Sequence, residues 1–307
     1  MTLTSESLKK SREIRADFLK RFKLLPSSIL RHDRIESKNR TLDIVRTERG
    51  GGYSNHYKKM KTQIMRRDDY TPGLENTGMK MQGRENYLSG FPQNVGRFIV
   101  ELYCPEKGVI YDSFAGHNSR MELCFRCNRD YIGVDVSKNY MECNRIIADK
   151  LISHRNNSLN PLGHNSTITL IEGSSTKVDL PDESADFSIT SPPYWDIEYY
   201  GDEAEQLGTS KTYEEFINRI ALHVRENFRI LKKGSYCFWF VNDFRKKGVF
   251  YPYHSDLMYV FEQEGFTPFN VYIVDLGVSP NQAFIQEVLK HKLLPKQHEY
   301  CLGFIKE

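Results

Sequence analysis

Apolar residues recur along this chain with two different spacings. Over residues 5–24, Leu8, Ile14, Phe18, Leu19 and Phe22 fall near one face of a helical projection, Lys and Arg fill the other, and Pro26 follows. That spacing predicts an amphipathic helix. Residues 31–90 keep no sustained period. They hold Arg49-Gly-Gly-Gly52, the basic patch Lys58-Lys59-Met60-Lys61, Arg66-Arg67 and scattered aromatics, which reads as loops or as an arm that orders on a polyanion.

From about residue 91 short apolar runs alternate with helical periods. A helix around Phe98 to Tyr103 precedes a buried strand at 108–112, a glycine-bearing turn and a helix at 121–127. A second strand at 131–135 ends in an acid, and Ser137 is placed to cap the helix that carries Met141, Ile146, Ile147 and Leu151. Strands follow at 167–171 and 185–190. Thr212-Tyr-Glu-Glu215 is a capping box, opening a helix that Lys232-Lys233-Gly234 is expected to close. A strand at 236–241, a helix capped by Ser255 and ended by Gly265, and strands at 269–275 and 298–305 complete the pattern. Seven strands alternating with helices predict an α/β fold, a mostly parallel doubly wound sheet covered on both faces.

Charge divides the chain where the periodicity does. Residues 1–67 hold 18 Lys/Arg against 7 Asp/Glu, whereas the whole 307-residue chain carries a net charge of only +3. A basic N-terminal extension (1–90) on an acidic body (91–307) points to a polyanionic partner. No apolar run approaches the ~20 residues of a membrane span and the first residues lack signal-peptide character, so a cytoplasmic location is expected. Six cysteines in such a chain read as reduced thiols. Cys124-Phe-Arg-Cys127 has metal-ligand spacing but no second pair, so no metal site is expected.

The candidate chemistry centres on Thr190-Ser191-Pro192-Pro193-Tyr194-Trp195. Two prolines end a strand, having no N–H to give a ladder, and make the following turn rigid. Ser191-Pro-Pro-Tyr194 resembles the catalytic motif of S-adenosylmethionine-dependent DNA amino-methyltransferases, which methylate N4 of cytosine or N6 of adenine. Its Ser-led form is similar to the cytosine-N4 members. The resemblance implies a methyltransferase-like sheet, S-adenosylmethionine as cofactor, DNA as partner and a companion restriction endonuclease as a further one. Ser191, Pro192, Pro193 and Tyr194 would then be the catalytic set, with Tyr194 and Trp195 stacking on the base.

Asp112-Ser113-Phe114-Ala115-Gly116 resembles the cofactor loop of the same family, with Ser113 in place of Pro and His117-Asn118 in place of Ser-Gly. It implies cofactor contacts from Asp112, Phe114, Gly116 and Asn118. Asp135 can accept hydrogen bonds from ribose hydroxyls, as acids do in dinucleotide folds. Ser174, in the turn after the third strand, corresponds to the adenine-contacting position. Lys296-Gln-His-Glu-Tyr300 is similar to a terminal segment of the family, so the resemblance covers roughly residues 91–307.

Alternatives share the pocket chemistry or the fold: an N6-adenine DNA or an RNA amino-methyltransferase, or an inactive nucleic-acid-binding subunit. Carbon-5 methylation is disfavoured, since no Pro-Cys occurs. A nicotinamide dehydrogenase is disfavoured because no Gly-x-Gly-x-x-Gly follows the first strand.

Overall fold

The computed structural model describes residues 5–33, 91–157, 165–197, 203–277 and 296–307, together with Leu289, Lys290, Lys292 and Leu294. The glycine run at 49–52 and the basic patch at 58–67 lie outside the described residues.

Eight strands form one sheet: β1 (Ile29–Arg31), β2 (Val109–Asp112), β3 (Asp130–Asp135), β4 (Ile168–Glu172), β5 (Ala185–Thr190), β6 (Leu231–Val241), β9 (Thr267–Asp275) and β10 (His298–Ile305). Their order is β1-β9-β10-β6-β5-β2-β3-β4. β10 runs antiparallel to both β6 and β9, whereas the other neighbouring pairs are parallel. A separate hairpin pairs β7 (Phe244–Lys246) with β8 (Val249–Tyr251).

Alternating side chains along the strands feed two apolar cores. One face carries α1 (Ser5–Phe22), α2 (Gln93–Tyr103), α3 (Ser119–Arg126) and α4 (Lys138–Asn157), packed over Phe187, Ile189, Phe238 and Phe240. The other carries α5 (Tyr213–Ile230) and α6 (Tyr253–Gln263) over Trp239, Leu302 and Phe304. Phe261 of α6 stacks on Phe304 with ring centroids 3.8 Å apart. No helix among the described residues is long and apolar enough to cross a membrane.

The seven expected strands are present, and the structure adds β1 and the β7–β8 hairpin. β6 starts at Leu231, so Lys232, Lys233 and Gly234 lie in the strand and do not close the helix. Gly234 takes φ 79° and donates its N–H to the Lys306 carbonyl at 2.6 Å. α6 begins at Tyr253 after Pro252, which places Ser255 inside the first turn with its N–H on the Pro252 carbonyl at 2.9 Å. Ser255 is therefore not the cap. Thr212 caps α5 as expected, its Oγ1 accepting from the Glu215 N–H at 3.1 Å, while Glu215 reaches back to the N–H of Lys211 at 2.8 Å.

The N-terminal helix is joined to the sheet through fewer apolar residues than its pattern predicts. Phe22 is buried against Phe98, with centroids 5.5 Å apart, and Phe18 packs beside them. Ile14 and Leu19 stay about half exposed, at 50% and 52%. Beyond the helix, β1 pairs in parallel with β9, placing Ile29 opposite Ile273, and buries Leu30 completely. Asn94 of α2 holds this segment by donating to the Phe22 and Arg31 carbonyls and accepting from the Asp33 N–H. Phe22, Leu24 and Leu30 are thus packed into the first core with Phe18 against them, while Lys9, Lys10, Arg12 and Arg15 face solvent.

Phe22→Ala is expected to cost about 3–5 kcal/mol, the range for truncating a buried Phe. Urea unfolding checks this, and a midpoint equal to that of the unaltered protein would show that α1 does not contribute to the core.

Candidate active site

The strand sequence changes direction between β2 and β5: β3 and β4 extend one side, and β6 follows β5 on the other. In open α/β sheets the carboxyl ends of such strands flank a ligand crevice. Here the two ends are tied together, because Thr190 Oγ1 at the end of β5 donates to Asp112 Oδ1 at the end of β2 over 2.6 Å. The same carboxylate accepts from the Phe114 N–H at 3.3 Å, Arg120 Nε at 2.7 Å and the Tyr131 hydroxyl at 2.8 Å. Asp112 is completely buried. Its oxygens hold β2, β3, β5 and α3 in register.

The loop after Asp112 is anchored from α5. Ser113, which departs from the family's Pro, accepts on Oγ from Asn227 Nδ2 at 3.1 Å, and its carbonyl accepts from Ser175 Oγ at 2.6 Å. Ser175 also bonds His223 Nδ1 at 2.8 Å, and burial pulls His223 down to about 3, so the imidazole is neutral. Phe114 packs against His223 and edge-on to Trp239. Gly116 takes φ 50°, a conformation costly for residues with a Cβ. Asn118 is right-handed, with φ −58°, and turns its amide to Glu122 at the start of α3. That bond ties the loop to the first turn of α3.

Asp135 closes the loop from β3. One carboxylate oxygen accepts from the Gly116 N–H and the other from the Ser137 N–H, both at 2.8 Å. Burial nevertheless pushes its pKa up to about 6, against the pull of those two donors. Past β4, Gly173 has φ 150°, no atom lies within 4 Å of where a Cβ would stand, and its N–H bonds the Asp135 carbonyl at 2.9 Å. Ser174 is half-buried and its hydroxyl pairs with Thr176. Gly116, Asp135 and Ser174 therefore border one stretch of the edge.

Ser191 to Trp195 continues from β5 along that edge. Ser191 and Tyr194 are half-buried, and the Pro193 carbonyl accepts from the buried Tyr253 hydroxyl at 3.3 Å, which fixes the turn to α6. Tyr194 meets Phe244 and Tyr253 edge-on, with centroids 6.4 and 6.0 Å away. Trp195, the second ring expected to stack on the base, sits deeper than Tyr194. It is 6% exposed, donates Nε1 to the Ser210 carbonyl at 2.9 Å, and packs against Tyr213 and Tyr251 with Lys246 Nζ 4.1 Å from its centroid. These contacts hold Trp195 at φ 47°, uncommon for a bulky residue.

Because β10 is antiparallel, its first residues arrive at the same edge. The Tyr194 hydroxyl lies 3.5 Å from Glu299 Oε1. Burial raises Glu299 to about 7, and Lys296, which donates to the Asp243 carbonyl, is lowered by burial to about 8. Sequence reading singled out the segment 296–300 but not Glu299; the signal is an acid at the start of a strand that runs opposite to its neighbours. Among the described residues no cluster of His, Cys, Asp and Glu could hold a metal ion. Cys124 and Cys127 are buried free thiols, both raised by burial.

The strand order and its carboxyl edge define a doubly wound α/β protein with one antiparallel strand. Residues 17–148 match the family model described as DNA methylase, of the N6/N4 type. The type II methyltransferase M.SfiI of Streptomyces fimbriatus is 40% identical over 52 residues, 17% of this chain and 12% of that protein. The type II methyltransferase M.MjaVI of Methanocaldococcus jannaschii is 33% identical over 100 residues, 32% of this chain and 49% of that protein. The chain thus spans about half or less of the length of these relatives. Part of the chain is thus similar to DNA methylases of the N6/N4 type. A solved DNA modification methylase from Thermus thermophilus, complexed with S-adenosyl-L-methionine, is 26% identical, with 44% of this chain and 53% of that chain covered and a TM-score of 0.34. A solved SAM-dependent methyltransferase from Methanosarcina mazei is 13% identical, with 71% and 99% covered and a TM-score of 0.46.

Asp112→Ala would leave the buried Arg120 guanidinium without its carboxylate. An uncompensated buried charge costs about 3–5 kcal/mol. A fall of that size in chemical denaturation is the expected result, and unchanged stability would remove Asp112 from the centre of the scaffold.

Proposed function

We propose that this protein is an S-adenosylmethionine-dependent DNA methyltransferase acting on an exocyclic amino nitrogen, N4 of cytosine. The observation that carries the reading is the Thr190–Asp112 bond, which fixes the Ser191-Pro-Pro-Tyr194 turn beside the Gly116 loop at the point where the strand order reverses. The finer choice of cytosine N4 rests on the serine that heads the motif.

The residues at the edge fit the proposed cofactor chemically. The only atom within 4 Å of a Cβ built on Gly116 is the Phe114 carbonyl oxygen at 3.8 Å, and Gly173 has none, so main chain can be approached closely at both. Asp135 is a half-buried carboxylate whose oxygens can each accept a further hydrogen bond, and a ribose diol supplies two donors. Phe114 and Ser174 would line the same stretch. Bound there, S-adenosylmethionine supplies an electrophilic methyl group on its sulfonium.

The chain's own part is positioning. Ser191 Oγ and the Pro192 carbonyl accept from the target amine and orient its lone pair, while Tyr194 stacks on the base. The Tyr253–Pro193 bond keeps the turn rigid. Trp195 supports the turn from beneath. A base inside a duplex must be flipped out at a cost of a few kcal/mol, which stacking and hydrogen bonding in the pocket offset.

The direct test is to express the protein with plasmid DNA, digest the DNA to nucleosides and weigh them. N4-methylcytosine is the expected product. N6-methyladenine would overturn the base assignment, and unmodified DNA the activity.

Two further outcomes follow. Ionised Asp135 is the hydrogen-bond acceptor, and its folded pKa lies near 6. Cofactor affinity should therefore rise with pH through that value and level off above it, by calorimetry at constant ionic strength. Asp135→Asn should bind more weakly, by about 1–3 kcal/mol, with a flat pH profile; a variant that keeps the slope would exclude this residue. In single-turnover assays Tyr194→Ala should lose base capture worth about 1–3 kcal/mol, and Ser191→Ala should slow methyl transfer more than it weakens cofactor binding. Full activity in both would reduce the motif to a turn.

A further inference from the structure

Successive side chains of β10 turn to opposite faces of the sheet. His298 and Tyr300 turn toward α6, where Tyr300 stacks on His254 with centroids 4.0 Å apart and His298 meets Tyr300 edge-on. Glu299 and Cys301 turn the other way, and Cys301 is fully buried in the first core. Glu299, two residues nearer the edge, is half-buried.

The Glu299 carboxyl is poorly partnered for such a place. Its one hydrogen-bond contact among the described residues is the Tyr194 hydroxyl at 3.5 Å, beyond the ~2.8 Å usual for O–H···O. The cations facing it are engaged elsewhere. Arg120 of α3 bonds Asp112 and the Phe114 and Ala115 carbonyls, and Lys296 bonds the Asp243 carbonyl. Cys301 beside it is a thiol raised by burial. Burial raises Glu299 to about 7, against the pull of Tyr194, Arg120 and Lys296. A large share of the carboxyl is therefore protonated at neutral pH, and in that form it is a hydrogen-bond donor.

Tyr194 fixes where that donor lies. Phe244 and Tyr253 hold the ring edge-on, and its hydroxyl rim ends at Glu299. A base stacked on the ring brings its own rim over the same groups. Cytosine and adenine each carry an unprotonated ring nitrogen beside the exocyclic amine, on the edge by which flipped bases are read. Guanine and thymine carry an N–H at the equivalent position.

We infer that Glu299 is a base-recognition residue, its carboxyl donating a hydrogen bond to the ring nitrogen beside the target amine of the base stacked on Tyr194. The inference rests on the proposed methylation of a flipped base. Ser191 and Pro192 orient the amine, and Glu299 reads the atom next to it. A base with N–H at that atom would set donor against donor and leave both unpaired in a site closed to water, which is how polar pockets reject the wrong substrate.

The test is single-turnover methylation of plasmid DNA at saturating S-adenosylmethionine and subsaturating DNA, from about pH 6 to 9 at constant ionic strength. Saturating cofactor removes the contribution of Asp135. The rate of the unaltered protein should be level below about 7 and fall about tenfold or more above it, because only the protonated carboxyl donates. Glu299→Gln keeps an N–H donor at every pH. Its profile should be flat and several-fold above that of the unaltered protein at the alkaline end. Glu299→Ala should be about tenfold slower than the unaltered protein at the acid end, with no step near 7. His254, His298 and Lys296 are present in all three proteins, so the differences between profiles belong to Glu299. A level profile in the unaltered protein would overturn the proposal without recourse to a variant. So would profiles of the unaltered protein and Glu299→Gln that coincide. A rate that rises with pH through about 7 and is lost in Glu299→Gln would also overturn it, showing an ionised carboxylate that holds the Tyr194 hydroxyl instead. These results all leave the methyltransferase reading standing; absence of methylation by the unaltered protein would sink that reading, and this inference with it.

Discussion

A single buried carboxylate sets the geometry on which everything at the edge depends. Asp112 stands at the end of a four-residue strand, too short for ladder bonds alone to fix its tip. Its bonds to Thr190, Arg120, Tyr131 and the Phe114 N–H tie three strand ends and a helix start to one point. In low-dielectric surroundings such bonds are strong when complete and costly when any is missing. The Gly116 loop and the Ser191 turn both start from this point, so these side chains set their separation.

The second constraint is the direction of β10. A strand inserted antiparallel between β6 and β9 brings the residues before it to the edge where the parallel strands end. Glu299 thereby reaches the Tyr194 hydroxyl, and Lys296 reaches the Asp243 carbonyl. A sheet of parallel strands alone would present only strand ends and helix starts there.

Much of this was legible in the sequence, and the failures have physical causes. Strands β2, β3 and β5 are largely buried apolar runs, so their positions could be read directly, and β4 and β6 were found from their β-branched and aromatic stretches. Where the family pattern has Pro, Ser113 is held by Asn227 and Ser175, the latter bonded to His223, from segments sixty or more residues further along. No local pattern announces such a substitution. For Asp112 and Trp195, local context marks an acid and an aromatic beside a turn, while their burial and bonding partners come from distant segments that no local pattern carries. β1 was missed because three residues with one buried side chain carry no period, and the hairpin because a lysine occupies a turn position where Asn or Gly would have signalled it.

The pairing of Ile29 with Ile273 also governs how the molecule must be built. A parallel contact between segments near opposite ends of the chain has a large loop-closure entropy and forms late. During synthesis the sheet must wait with β9 unmade while α1 and β1 are already outside the ribosome, an apolar helix face and an unpaired edge in search of partners. Such intermediates are prone to aggregation. The exposed lysines and arginines along the outer side of α1 would keep those nascent chains apart, a service to assembly that is separate from anything the folded protein does.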